Sequence, residues 1–385
     1  MSLSKILDPL PPAEFFAGSW GRRSLLLPGA RGRFSDLFSS TKIGQLLQYL
    51  RPKPPDGMAL VKGSRYCDSR WTNADGSPHP ERVRAAWLDG YTLVVNNLGR
   101  LWEPVAQFAA ALTEELHHPV DVNLYYTPPG SQGFEPHFDV MDAFILQLEG
   151  SKIWEVRGPA ALLPFPDEHV PVRGDRLPPL VFEEELQEGG VLYIPRGHVH
   201  AARTAAAPSL HLTVGIQALT WIDLFSAAVA AARQEGRFRE ALPPGFLSGG
   251  PGLAEQFRAL AAELPRYLSL EDGLAHLAER SIVAQPPPAG DGLLAPEREL
   301  ALSSVLRRRP GVLCHLVEGP GHAVIQYSGG KIAGPAKIAP ALRYIAAHRS
   351  FSASSLPGDL NERERLVLLR RLIRDGLLAV EAEAE

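Results

Sequence analysis

His137, Phe138 and Asp139 lie in the middle of NLYYTPPGSQGFEPHFDVMDAFILQLEGSKIWEVR, residues 123–157. In a strand, side chains two apart share a face, so the imidazole of His137 and the carboxylate of Asp139 would project together. Two histidines and one carboxylate on one side of an iron, with the opposite positions open, make the facial site of non-haem Fe(II) oxygenases. Downstream, Val191-Leu192-Tyr193-Ile194-Pro195-Arg196-Gly197-His198-Val199-His200 offers further histidines, and His211 offers another. His198 and His200 share a strand face, so spacing leaves His198, His200 and His211 all open as the third ligand. A His-x-Asp alone is a weak signal, since a strand edge with the histidine hydrogen-bonded to the carboxylate is the commoner arrangement.

The elements that must hold these residues can be read from the pattern. From 120 to 218 short β-rich runs recur at Val120–Tyr126, Ala143–Leu148, Lys152–Val156, Leu180–Phe182, Gly190–Ile194 and Leu210–Val214. Pro/Gly turns separate them, and many short strands between turn residues argue for a sandwich or barrel. Leu148-Glu149-Gly150-Ser151-Lys152 reads as a tight hairpin between two of the strands. Before this region the sequence predicts a short helix over 12–18, a strand over 24–27 and a helix over 40–51 with Ser40 or Thr41 as N-cap. It predicts a loop over 56–80, with His79 on the surface, and a short helix followed by a strand at Tyr91–Val95. Leu101, Val105, Phe108, Ala109 and Leu112 recur at helical spacing, so 101–117 is an amphipathic helix.

After about 219 the β pattern stops. Helices are expected over 221–232, 253–268 (Leu253, Phe257, Leu260, Leu264 on one stripe) and 270–282. The Pro/Gly-rich run AQPPPAGDGLL, residues 284–294, reads as a linker. The remainder predicts a small α+β unit: a helix over 297–308, strands at Val312–Glu318 and Ala323–Tyr327 joined by Gly-Pro-Gly, helices near 338–347 and 361–376, and a frayed acidic tail.

Composition sets the bounds. The chain has 385 residues, 45% hydrophobic and 21% charged, with a formal net charge of −4, so it is long enough for two or three domains and carries no bulk signal for nucleic acid or membrane. Cys67 and Cys314 fit neither a metal spacing nor a disulfide framework. No run is long and apolar enough to span a membrane, and the N-terminus lacks a secretory pattern; the expected compartment is the cytoplasm. Arg307-Arg308-Arg309 and Arg370-Arg371 with Arg374 are basic, but Glu362, Glu364 and Asp375 offset them, so sequence-specific nucleic-acid binding is not expected. Gly329-Gly330-Lys331 is no phosphate-binding loop, because Ile332 stands where Ser or Thr is needed.

Four motifs in order carry a family resemblance. Tyr125 through Asp139, followed by Phe144 through Trp154, closely resembles the JmjC-type (cupin-like) ribosomal oxygenases, Fe(II)- and 2-oxoglutarate-dependent protein hydroxylases. Leu192-Tyr193-Ile194-Pro195-Arg196-Gly197 with His200, Ser209 through Thr213, and the entry segment Phe15-Phe16, Trp20, Leu25-Leu26 are similar to the same family. The resemblance implies a double-stranded β-helix (jelly-roll) barrel, then a helical dimerisation region and a C-terminal winged-helix domain, with divisions at 1–218, 219–290 and 295–385. It implies His200 as the third ligand beside His137 and Asp139, with His198 at a position usually aromatic. It places Lys152 and Tyr125 on the far carboxylate of 2-oxoglutarate, with Asn123 and Thr213 facing the same barrel.

The implied chemistry is the hydroxylation of a C–H bond with O2 and 2-oxoglutarate, releasing succinate and CO2. The implied substrate is an Arg or His side chain of a ribosomal protein, and the implied assembly is a homodimer. Val140 and Gly190 stand where the family often has acidic residues, while its next acidic position is taken by Asp142, and these departures bear on substrate choice. A peptide or small-molecule tailoring oxygenase on the same scaffold, and a non-catalytic cupin-like binding protein, are the alternatives. Intact His137, Asp139, His200 and Lys152 count against the second.

Overall fold

The computed structural model describes residues 2–168, 171–172, 176–284 and 300–381. The chain divides into two compact units, Met1–Ala218 and Leu219–Glu385. The first begins with helices α1 (Leu3–Leu7) and α2 (Pro12–Gly18) and strand β1 (Leu25–Leu27). The helix expected over 40–51 is present but changes pitch, a 3-10 turn at Ser40–Lys42 leading through α3 (Ile43–Gln45) into a π turn at Leu46–Leu50. Neither Ser40 nor Thr41 caps it. Ser39 holds the N-cap position without a capping bond, its hydroxyl being paired with that of Thr41 at 2.7 Å.

The expected loop over 56–80 contains β2 (Met58–Lys62) and β3 (Arg65–Tyr66). Met58 to Val61 are buried on both faces, so β2 shows a short apolar run instead of the alternation that marks a half-buried strand. His79, expected on the surface, is half-buried. It stands at the N-cap of α4 (Pro80–Leu88) with a buried Nδ1. β4 (Thr92–Val95) and α5 (Glu103–Leu116) follow, and α5 buries Val105, Phe108 and Leu112 as its apolar stripe predicts.

The strands that build the barrel are β5 (Val120–Thr127), β6 (Asp142–Pro159), β7 (Leu180–Gln187), β8 (Val191–Ile194), β9 (His198–Arg203) and β10 (Ser209–Ile216). The order is β1-β8-β6-β10-β5-β4-β2-β3, with β7 and β9 also on β6. β6 is the pivot. Its first half pairs with β8 and β10, and its second half with β7 and β9.

The hairpin expected at Leu148–Lys152 is therefore corrected to a bulged bend inside one 18-residue strand. The pairing with β10 slips between Leu210 and His211, passing over Leu148. Gly150 takes φ +66°, and a Cβ there would lie 2.0 Å from the Pro208 carbonyl oxygen. The Glu-Gly-Ser chemistry that resembles a turn is used to re-aim the strand from one set of partners to the other. The core behind it is aromatic at the entry: Phe15 of α2 packs edge-on against Tyr193 at 4.9 Å and against Phe144 at 5.4 Å. Such pairs contribute about 0.5–1.5 kcal/mol each beyond area burial.

The second unit holds α6 (Trp221–Val229), α7 (Leu253–Glu263), α8 (Leu270–Ala278), β11 (Val305–Arg308), β12 (Cys314–Gly319), β13 (His322–Tyr327), β14 (Gly330–Pro335), α9 (Ala339–Ala347), β15 (Ser350–Ser352), α10 (Glu362–Arg374) and β16 (Leu378–Val380). Its sheets run β15-β11-β16 and β12-β13-β14. Thr220 and Asp223 form a reciprocal capping box at the start of α6, and Asn361 and Glu364 form another on α10. The helix expected over 297–308 is replaced at its end by the central strand β11, whose Leu306 is fully buried. Residues 285–294 of the expected linker, 297–299 of that helix and 382–385 of the tail lie outside the described residues. Gln326 of β13 donates to the Ala275 carbonyl at 3.0 Å and to Glu279 at 3.1 Å, tying α8 to the sheet.

Candidate active site

The loop before β6 and strand β9 carry the ligand candidates. His137, expected in a strand, instead forms an isolated bridge with His200. Each donates its backbone N–H to the other's carbonyl, at 3.1 and 2.8 Å. The two rings end 4.5 Å apart. His137 Nδ1 lies 2.8 Å from the Glu135 carbonyl oxygen, and His200 Nδ1 lies 3.1 Å from that of His198. A carbonyl oxygen only accepts, so both Nδ1 atoms carry the proton and both Nε2 lone pairs are available as metal ligands.

The Asp139 carboxylate is 3.6 Å from His200 Nε2, and one ligand atom from each of the three residues lies within 4.8 Å of the others. Burial, and then the neighbouring His137, hold His200 down to about 4, so its imidazole is neutral at pH 7. Two imidazoles and a carboxylate, gathered on one side of a cavity, fit a divalent first-row metal with positions left open.

His198 and His211 stand apart from this cluster. His198 lies two residues before His200, but β6 slips in register between Val156 and Pro159, and its Nδ1 faces Ser24 Oγ at 3.5 Å. His211 lines the same cavity on another strand, flat against Tyr125 with ring centroids 4.9 Å apart and planes 3° from parallel.

The cavity, about 540 Å³, is lined by residues of β2, β4, β5, β6, β9 and β10. Lys152 reaches it from the second half of β6 and is 4% exposed. Its Nζ donates to Thr127 Oγ1 at 3.0 Å and sits 5.8 Å from the centre of the Trp154 ring. Burial lowers its pKa to about 7. Burial, and then the charge of Asp139, push the Tyr125 hydroxyl well above its ordinary value, so it remains protonated and able to donate. Thr213 lines the cavity. Asn123 does not: its Oδ1 accepts from the Asn97 N–H at 2.9 Å and its side chain is hydrogen-bonded to Tyr125, which it braces from behind.

Several lining residues were missed. Trp154 on the wall lies two positions from Lys152, and Thr127, the acceptor for Lys152 Nζ, lies two positions from Tyr125, so strand periodicity could have found both. Trp154 Nε1 and His211 Nδ1 are buried without a partner among the described residues, which marks their part of the cavity wall as a place where polar ligand atoms would be welcome. Ala59, Ser64 and Tyr66 come from the segment read as a loop.

A barrel pivoting on β6 around a His-Asp-His cluster defines the class, a JmjC-type, cupin-like protein. Residues 100–224 match the JmjC domain family. Ribosomal oxygenase 1 of Rattus norvegicus is 31% identical over 323 residues, which cover 77% of this chain and 53% of that protein. The bifunctional lysine-specific demethylase and histidyl-hydroxylase NO66 of Drosophila grimshawi is 32% identical over 60% of this chain and 33% of its own. The chain thus spans about half the length, or less, of these curated relatives. The crystal structure of the Escherichia coli ribosomal oxygenase YcfD shares the fold, with a TM-score of 0.60 at 21% identity over 97% of this chain and 98% of that one. Residues 100–224 thus carry a JmjC domain, and the chain is similar to ribosomal oxygenases over three quarters of its length.

Proposed function

We propose that the chain is an Fe(II)- and 2-oxoglutarate-dependent oxygenase that hydroxylates an Arg or His side chain of a ribosomal protein. The observation that carries this reading is the placing of a buried ammonium, Lys152, and of the cluster His137, Asp139 and His200 on the walls of one cavity. The relatives support it by name: one is a ribosomal oxygenase and one a histidyl-hydroxylase. A structure of YcfD was obtained in complex with cobalt and 2-oxoglutarate.

In this reading His137, Asp139 and His200 hold the metal, and bound iron and 2-oxoglutarate supply the oxidising chemistry with O2. The protein's own part is binding and exclusion. Lys152 pairs with the far carboxylate of the cosubstrate as a buried cation. The Tyr125 hydroxyl and Thr213 donate to the same end, and Asn123 keeps the Tyr125 ring in place. Phe134 and Tyr66 line the cavity as well and shield it from bulk water.

The same reading divides the chain into an oxygenase domain at 1–218, a helical dimerisation region at 219–290 and a winged-helix domain at 295–385. Exposed Trp221, Ile222 and Phe225 on α6 support a surface for a second copy in a homodimer. A cytoplasmic location accords with a ribosomal substrate, and no described helix is long and apolar enough to cross a membrane.

Intact-mass analysis of ribosomal proteins from cells with and without this gene tests the reading. One ribosomal protein is expected to lose the mass of a single oxygen in the deletion strain. Unchanged masses throughout, together with succinate production on another substrate, would overturn the ribosomal assignment.

A further inference from the structure

We infer that Asp142 and Arg196 form a clamp that positions the Asp139 carboxylate against His200. The inference rests on the metal-centre reading given above and concerns residues that would touch neither metal nor substrate. Asp142 is fully buried and Arg196 nearly so. Arg196 Nη1 donates to Asp142 Oδ2 at 2.8 Å, and the Arg196 backbone N–H approaches Oδ1 at 3.4 Å. The Tyr193 hydroxyl donates to the same Oδ1 at 2.8 Å while accepting the Gly21 N–H at 2.8 Å.

A buried ion pair is not a general way to gain stability, because desolvation of both charges offsets their attraction and an apolar pair of similar volume often serves as well. Its value lies in geometry: a desolvated carboxylate with three donors has one low-energy position. That position lies three residues after Asp139, and its cation lies four residues before His200. The clamp therefore joins the two segments that carry the ligands.

The ligands differ in how they are held. His137 and His200 are fixed to each other by reciprocal backbone bonds, and each ring is oriented through Nδ1. The Asp139 carboxylate has no such bond among the described residues, and its side chain is 37% exposed. Its placement comes from its backbone. The Gly197 N–H donates to the Asp139 carbonyl at 2.8 Å. Met141 lies against Gly215, where a Cβ would come within 2.2 Å of its Sδ. Asp142 then anchors the far end of the segment. Gly197 itself takes φ +85°, and a Cβ on it would meet the Ala161 carbonyl oxygen at 1.9 Å, so the turn carrying Arg196 has little freedom to follow a displaced partner.

Cobalt(II) titration followed by visible absorption, alongside thermal melts, tests the clamp in the full chain. The wild type is expected to bind one Co(II) and His137→Ala to lose it. Asp142→Asn and Arg196→Gln, both folded, are expected to bind Co(II) roughly ten- to a hundred-fold more weakly, the range for partners that orient a ligand, with an altered absorption band. A lower melting temperature with unchanged affinity and spectrum in both variants overturns the inference and leaves the pair a packing feature. Should Asp142→Asn fail to fold, Arg196→Gln decides the matter, since it leaves Asp142 its bond from Tyr193. If the wild type itself binds no cobalt, the metal-centre reading falls and the clamp with it.

Discussion

Lys152 and Thr127 meet at 3.0 Å inside the barrel, and this hydroxyl is the one hydrogen-bond acceptor that the described residues give the ammonium. Burial lowers the lysine to about 7, so above that pH the empty cavity holds a neutral amine. An anionic carboxylate favours the charged form, so binding it above about pH 7 takes up a proton. Affinity for 2-oxoglutarate is expected to be level below about pH 7 and to fall by up to about tenfold per pH unit above it. Titration calorimetry near pH 8 in two buffers of different ionisation heat reads the proton uptake. Lys152→Arg keeps its charge and should flatten the profile. An affinity that stays level across the same range in the wild type would refute this account. The same group makes the unliganded fold gain stability as pH rises from about 7 toward the unfolded value of 10.5, because the unfolded chain then binds more protons.

His211 is expected to show a stability signature of the same sign, on the acid side. Burial, and then the charge of Lys152, hold its pKa well below the unfolded value of 6.5. The unfolded chain therefore takes up a proton that the folded chain refuses, and stability is present above pH 6.5 and lost as pH falls below it. Its Nδ1 is already buried without a partner. Replacing His211 with Phe keeps a ring against Tyr125 and removes that polar atom. The variant should melt at or above the wild-type temperature at neutral pH and decline less steeply under acid. Parallel acid slopes for the two proteins would show that His211 is not the group responsible.

What could be read from residues alone follows a physical divide. His137 and Asp139 were legible because residue type and two-residue spacing carried them, although His137 proves to sit in an isolated bridge and not in a strand, and Lys152 was legible only through the family resemblance. The choice among His198, His200 and His211 was not legible from spacing, because it depends on long-range pairing: β6 slips in register opposite His198 on β9, and His211 stands on a different strand, β10. β2 was missed because burial on both faces erases alternation, and with it went Ala59 on the cavity wall. β11 was read as the end of a helix because VLRR has no strand signature of its own; its place between β15 and β16 is decided by long-range pairing. Gly150 was recognised as special, but turn residues are shared by hairpins and bulges, and only the partner strand distinguishes them.

Gly150 provides the most direct test of that distinction. In a hairpin of two-residue type, Ala at this position would cost backbone strain and little else. Here β6 must continue past it to deliver Lys152 and Trp154 to the cavity, and the space beside its Cα is filled by the Pro208 carbonyl oxygen. Gly150→Ala combines a left-handed backbone on a non-glycine residue, about 1–3 kcal/mol, with a contact that forces β10 and β6 apart. The variant should unfold at lower denaturant with an unchanged slope, and it should lose 2-oxoglutarate affinity more than cobalt affinity, because Lys152 lies directly beyond the bend, while His137 and Asp139 lie before it and His200, on β9, is also held to His137 by reciprocal backbone bonds. Equal loss of both ligands, or none, would mean that the bend does not set the position of Lys152.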